Sequence, residues 1–245
     1  MEVSITGAKI YYVIPGINYP ITQTVVNAWI AMVVIVGLCI WLTRGMQVHA
    51  RTKRQVVAEM IVQMAQKLVR GNMGAKWDSF VPFIAAILSM SVVSSLMGLT
   101  GAYSPTNDLN TFLAWGILVF VLITYHKIKA NGFGGYLKGF TEPIFVMTPM
   151  NIISEIATPV SMSLRHFANI CSGYVIGLLL YAALGAVSQI IFFWLPGSLG
   201  TIPFLQVGIP AVLNVYFSVF SGCVQPYIFC MLTMQFVAQA AGTEE

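Results

Sequence analysis

The sequence predicts an all-α membrane protein with five transmembrane helices and one amphipathic helix on the cytoplasmic surface. Asp, Glu, Lys and Arg make up only 8% of the 245 residues, against about 25% in soluble domains. Apolar residues make up 58% of the chain, and its mean hydropathy is +0.82. This composition excludes an ordinary soluble domain, and it also excludes intrinsic disorder, which needs a shortage of apolar side chains.

Uncharged windows long enough to cross a bilayer, about 20 residues each, define the five spans. From His166 to Thr243 there are 78 residues without Asp, Glu, Lys or Arg, enough for two helices. The Pro- and Gly-rich segment 195–203 separates those two helices. Within one membrane domain, 1–245, we place the spans at 21–43, 79–100, 110–128, 145–190 and 204–240.

Basic residues predict the orientation, because short cytoplasmic loops are enriched in Lys and Arg. They concentrate in segments 44–78 and 127–142, whereas 101–110 and 191–203 contain none. We therefore expect a multi-pass protein with its N-terminus outside and its C-terminus in the cytoplasm. The opening Met1-Glu2-Val3 lacks the basic start of a secretory signal, so we expect this segment to be retained.

Residues 52–70 have helical periodicity but too many charges for a span. Their polar and apolar side chains fall on opposite helical faces, which is typical of a helix lying on a membrane surface. A helix packed on a partner subunit is the alternative, and the two interpretations are compatible.

A single basic residue, Arg165, lies deep inside a predicted span. A guanidinium at the centre of a bilayer costs at least ~2.5 kcal/mol and does not escape by deprotonating. Polar residues recur on the same helical face for ~32 Å, at ~1.5 Å per residue. This stripe predicts an ion pathway with a fixed charge halfway; helix-to-helix hydrogen bonding is the alternative. Its members are Asn151, Ser154, Thr158, Ser161, Arg165, Asn169 and Ser172.

The last span carries a weaker polar stripe. Because the two final helices must be antiparallel, we expect Gln225 to lie near Arg165, and the earlier residues of the stripe to lie toward the outside. The stripe consists of Asn214, Ser218, Ser221 and Gln225.

Other chemistries have weaker support. The four cysteines form no CxxC pair, and His49 and His126 have no second ligand at metal spacing, so we predict no metal site and no cofactor. Basic residues form no face with interleaved aromatics, which argues against nucleic-acid binding. A hydrolase triad of His166, Ser172 and Asp108 is disfavoured, because His166 and Ser172 point to different faces of one helix.

Several short motifs resemble one family, subunit a of the F-type ATP synthase, over most of the chain from about residue 75. The Leu164-Arg165 pair is followed by Asn169, and the last helix carries Gln225, Phe229 and Leu232-Thr233. The other matching landmarks are Pro105-Thr106-Asn107-Asp108-Leu109-Asn110, Gly134-Gly135-Tyr136-Leu137-Lys138, and Glu155 before Pro159.

The resemblance implies a non-catalytic stator of a rotary ATP synthase in a bacterial cell membrane, with its last two helices long and tilted as a hairpin. Arg165 would face the carboxylates of a rotating c-subunit ring and block direct leakage between two aqueous half-channels. Further partners would be the peripheral-stalk b subunits, the rest of the complex and membrane lipid. The implied outer path is Asn169, Ser172, Asn214, Ser218, Gln225 and Asp108, and the cytoplasmic path is Ser154, Glu155, Thr158 and Ser161.

Three positions depart from the family pattern. Tyr174 and Ser218 stand where the family usually has a Glu and a His or acid, and Pro226 follows Gln225. The usual titratable pair of the outer path is therefore missing, and we expect ordered water to replace it. H⁺ is the favoured ion and Na⁺ the second choice. A self-contained channel or secondary transporter is the alternative, but we find no internal repeat; a purely structural scaffold would leave Arg165 without a purpose.

Overall fold

The computed structural model describes residues 8–16, 19–47, 52–98, 103–141, 145–192 and 209–242. These residues are mostly helical, which confirms the predicted class. The six α-helices are α1 (Gln23–Thr43), α2 (Lys53–Met73), α3 (Val81–Met97), α4 (Leu109–Thr141), α5 (Thr148–Phe192) and α6 (Ile209–Ala240). Short 3₁₀ segments occupy Ala75–Phe80, Pro105–Asn107 and Phe145–Met147.

The N-terminal segment departs from the all-α prediction. Strands β1 (Ile10–Ile14) and β2 (Tyr19–Thr22) form an antiparallel hairpin directly before α1. At one end of the loop that joins them, Gly16 has a φ of +114°, a conformation that favours glycine. The predicted first span began at residue 21, whereas the helix begins at Gln23, since residues 19–22 pair with β1 instead.

Four helical segments of the described residues are long and apolar enough to cross a membrane. They are Gln23–Thr43, Ala75–Met97, Leu109–Thr141 and Phe145–Ser188. The predicted fifth span corresponds to α6, with 204–208 outside the described residues, and its crossing of the membrane stays a prediction. The predicted amphipathic segment forms α2, whose first turn Thr52 caps by accepting a hydrogen bond from the Gln55 amide.

Helix α4 is longer than its predicted span, because charges mark where a membrane ends and not where a helix ends. It continues through the predicted loop to Thr141, with a break at Gly132, where φ is +71°. Helix α5 runs for 45 residues although Pro159 lies inside it.

Helix α5 packs against α4 and α6, and α6 packs in turn against α2, α3 and α4. The C-terminal half of α6 contributes much of the apolar core, including Phe229, Cys230, Met234 and Val237. Small residues set the closest approaches: a Cβ added at Gly222 would lie 2.7 Å from the Cβ of Ser95 on α3. The fold thus holds α5 from one side.

Candidate functional site on helix α5

Arg165 lies on the open face of α5. Its side chain is exposed, and within the described part of the chain its guanidinium makes no hydrogen bond or ion pair. Its neighbours Leu164 and Ala168 are also exposed. A charge placed this way is directed away from the helices that hold α5.

The predicted polar stripe follows the same open face. Ser154, Ser161 and Ser172 are exposed, and Thr158 and Asn169 are half-buried. The Thr158 hydroxyl donates to the Ser154 carbonyl oxygen at 2.9 Å, one turn earlier. Exposed side chains do not hold the described helices of this chain together, so this face is available to something outside them.

Asn151, at the start of the stripe, has a different task in the fold. Its side-chain amide donates to the Phe140 carbonyl oxygen at 2.9 Å, which ties the first turns of α5 to the end of α4. This end of the stripe is therefore part of the packing between two helices.

The opposite face of α5 is closely packed. Pro159, Met162, Ser163 and His166 are all buried. A Cβ added at Gly116 of α4 would lie 2.1 Å from the Ser163 hydroxyl oxygen and 3.1 Å from the Pro159 carbonyl oxygen. Only glycine allows α4 to approach α5 this closely, and that approach sets which face of α5 stays open.

His166 lies in an aromatic pocket on this packed face. Its ring centroid is 4.2 Å from that of Phe112, 6.5 Å from that of Trp115 and 6.3 Å from that of Phe229. Neither ring nitrogen has a hydrogen-bond partner among the described residues. The structure therefore gives His166 an apolar environment, and Ser172 is on the exposed side of the same helix.

Asp108, predicted for the outer path, lies at the start of α4. Its carboxylate oxygen Oδ1 accepts a hydrogen bond from the Asn110 amide at 3.1 Å, as a helix-capping residue does. It also lines a cavity of about 300 Å³ beside Pro20, Thr22 and Thr111. Asp108 is thus part of the packing between the N-terminal hairpin region and α4.

Glu155 has a partner that sequence reasoning missed. Its carboxylate oxygen Oε2 lies 2.5 Å from the ammonium nitrogen of Lys127 on α4. The Glu155 side chain is only 11% exposed, and the Lys127 side chain is 35% exposed. The sequence did contain a signal, because Lys127 and Glu155 are opposite charges inside two consecutive predicted spans, 110–128 and 145–190.

The outer part of the predicted path is described in part. Gln225 on α6 is half-buried, and its approach to Arg165 stays a prediction. Asn214 and Ser218 on α6 and Tyr174 on α5 have helical backbones, but their side chains lie outside what the structure describes. The described residues contain no group of three His, Cys, Asp or Glu side chains placed to hold a metal ion.

Comparison with known proteins shows one consistent similarity. A family model described as ATP synthase A chain matches residues 25–238. ATP synthase subunit a of Desulforamulus reducens is 31% identical over 236 residues, which cover 96% of this chain and 84% of that protein. ATP synthase subunit a 1 of Prosthecochloris aestuarii is 31% identical and covers 92% of both chains.

A third relative differs in its stated ion. It is the sodium-ion-specific ATP synthase subunit a of Propionigenium modestum, 29% identical over 93% of this chain and 77% of that protein.

Proposed function

The chain belongs to the ATP synthase A chain family, and from that membership we propose that it is the ion-conducting stator of the membrane sector. Its open face would lie against the rotating ring of c subunits. The observation that carries the proposal is Arg165: an exposed guanidinium, without an ion pair in the described part of the chain, halfway along a helix long and apolar enough to cross a membrane.

The proposed role of Arg165 follows from its charge. Each c-subunit carboxylate that arrives opposite the guanidinium is stabilised in its ionised form and releases its ion. The guanidinium keeps its charge under all physiological conditions. A free cation is repelled at the same place, so ions are forced to travel around the ring rather than to leak past it.

Two half-channels would then meet the ring on either side of Arg165. We assign Asn169, Ser172, Asn214, Ser218, Gln225 and Asp108 to the outer path, and Ser154, Glu155, Thr158 and Ser161 to the cytoplasmic path. The exposure of Ser154, Ser161 and Ser172 supports this assignment. Asp108 is the weakest member, since its carboxylate also caps α4.

The transported ion is proposed to be H⁺, with Na⁺ as the second candidate. The family relative from Propionigenium modestum is sodium-specific by name, so membership by itself leaves both ions open. A self-contained channel or transporter is less well supported. Such a protein would enclose the charge of Arg165 between its own helices, because a cation facing lipid is costly.

The test is replacement of Arg165 by Gln, which removes the charge and keeps a polar side chain. Vesicles with the intact complex should lose coupled ATP synthesis by about 100-fold or more, at an unchanged level of assembly. Lys129→Gln is the matched control: it removes an exposed positive charge from α4 and should leave synthesis unchanged. Substantial coupled synthesis in the Arg165→Gln complex contradicts the proposal.

The proposed orientation in a bacterial cell membrane is N-terminus outside and C-terminus in the cytoplasm. Asn110 and Asn131 are exposed residues at the two ends of the membrane-crossing part of α4. In a Cys-free background, Asn110→Cys should react with an impermeant thiol reagent from outside and Asn131→Cys from the cytoplasm. The reverse pattern would exchange the two half-channels.

The proposed partners are the c-subunit ring, the peripheral-stalk b subunits, the rest of the ATP synthase complex and membrane lipid. The open face of α5 supports the first of these, and the exposed apolar side chains of α1 support contact with lipid or with a membrane-embedded partner helix.

A further inference from the structure

The Lys127–Glu155 ion pair differs from the other ion pair in the described part of the chain. Arg70 and Asp78 pair at 2.5 Å, but about half of each side chain is exposed. Such surface pairs contribute little to stability. The Glu155 side chain is almost fully covered, and its partner comes from another helix. Removal of one member of such a pair leaves a covered charge uncompensated, which is strongly destabilising.

Only one oxygen of the Glu155 carboxylate is used by Lys127. The other, Oε1, is buried and has no hydrogen-bond partner among the described residues. The hydroxyl oxygen of Thr124 is buried and unpartnered in the same way. Thr124 precedes Lys127 by one turn, so both side chains lie on the same face of α4. Buried oxygens of this kind normally find a partner in the protein or in ordered water.

Tyr136 adds a titratable group to these surroundings. It lies on α4 beyond the break at Gly132, close enough to Glu155 for the two groups to interact electrostatically, and the Thr124 hydroxyl remains without a hydrogen-bond partner among the described residues. Lys127, Thr124, Tyr136 and Glu155 thus form one polar cluster, which we call the α4–α5 cluster. It lies on the cytoplasmic side of Arg165 in the proposed orientation.

We propose that Lys127 is a positioning residue for ion exit to the cytoplasm. Its ammonium holds Oε2 of Glu155 and so fixes the carboxylate, which leaves Oε1 and the nearby Thr124 hydroxyl to bind a small hydrated cation or its water. This rests on the proposed function and deepens it, since neither the family motifs nor the polar stripe of α5 includes Lys127 or Thr124. The shared chemistry is that of oxygen ligands and acceptors, which suit both H₃O⁺ and Na⁺.

The central experiment compares single and paired substitutions of Lys127 and Glu155. Lys127→Met should lower both assembly and transport, because Glu155 keeps a covered charge without its partner. Lys127→Met with Glu155→Gln should restore assembly but not transport, with turnover per assembled complex about tenfold below that of the native protein. Normal turnover in this double variant would show a purely structural pair and overturn the proposal.

Two further variants separate positioning from stability. Lys127→Arg preserves the charge and should retain most of the turnover. Thr124→Val removes one hydroxyl with little change of shape, so it should leave assembly unchanged and lower turnover several-fold. A Thr124→Val complex with native turnover would remove Thr124 from the site. Lys129→Met, at an exposed position on the same helix, is the charge-matched control and should behave as the native protein.

The same vesicles show which ion is transported, and they show whether the proposed function or only the proposed ion exit fails. Synthesis driven by a pH gradient and by a Na⁺ gradient shows which cation the native complex uses, and the variants should slow that one. Arg165→Gln is measured alongside. Coupled synthesis in Arg165→Gln would overturn the proposed function itself. An inactive Arg165→Gln together with a normal Lys127→Met and Glu155→Gln complex overturns the role of Lys127 and the place of Glu155 in the cytoplasmic path, but leaves the role of Arg165.

Discussion

The two faces of α5 differ sharply although the residues that form them are neighbours in the sequence. Arg165 is exposed and carries a permanent charge, whereas His166 is buried between Phe112, Trp115 and Phe229. Consecutive residues of an α-helix point about 100° apart. The packing of α4 and α6 therefore decides which of two adjacent polar side chains faces a partner.

The difference teaches that a polar residue in a membrane helix has no fixed meaning by itself. Both side chains are of basic types, and both lie in the same predicted span, 145–190. Gly116 brings α4 against Ser163 and Pro159, and this contact commits His166 to the protein interior. The open face of α5 is the face that this contact with α4 leaves exposed.

The largest expected effect comes from exchanging the two residues. Arg165→His with His166→Arg keeps the composition but places the guanidinium in the aromatic pocket, at a cost of at least ~2.5 kcal/mol. Assembled complex should fall below detection in membrane blots, and coupled synthesis should be absent. Arg165→His alone is the control and should still assemble. A functional exchange variant would mean that the two faces are equivalent.

A smaller effect is expected from thiols placed on the two faces. Ser161 is exposed and Ser163 is buried, so the two positions form a matched pair of serine to cysteine substitutions in a Cys-free background. Silver ions should inhibit the Ser161→Cys complex at least about tenfold faster than the Ser163→Cys complex, because silver must reach the thiolate to react with it. Equal inhibition rates would contradict the assignment of the open face.

The contact that separates the faces is sensitive to one methyl group. Gly116→Ala should lower the amount of assembled complex several-fold, since overpacking of this kind costs about 1–3 kcal/mol. Adding Ser163→Ala removes the nearest atom and should recover part of the loss. Gly37→Ala on α1, where an added Cβ meets nothing within 4 Å, is the control and should assemble normally. Full assembly of Gly116→Ala would show that the approach is not tight.

The smallest effect is expected at His166 itself. His166→Leu fills the pocket with an apolar side chain and leaves no described partner unsatisfied, because neither ring nitrogen has one. Assembly should be maintained and turnover should stay within about twofold of the native value. A large loss of turnover with normal assembly would mean that the His166 imidazole takes part in transport, as Arg165 is proposed to do.

Sequence reasoning predicted well where one physical quantity is read along the chain. Four of the five predicted spans correspond to helices long and apolar enough to cross a membrane, because hydrocarbon thickness sets the number of apolar residues. The position of α2 followed from helical periodicity alone, and the cap at Thr52 was seen only in the structure. Prediction from the sequence failed at the ends of helices and strands. The hairpin before α1 forms by backbone pairing, and α4 extends to Thr141 because the helix continues past the charged residues. Neither property changes the charge pattern.

The sequence by itself determined that this is a helical membrane protein of the subunit a family, and it placed a single base, Arg165, inside a polar stripe. Periodicity along one helix groups residues that share a face. Only the tertiary structure decided which face is open, that His166 is enclosed, and that Glu155 pairs with Lys127. Those facts depend on how each helix is rotated against its neighbours, and that rotation is set by contacts such as Gly116 with Ser163, between residues far apart in the chain.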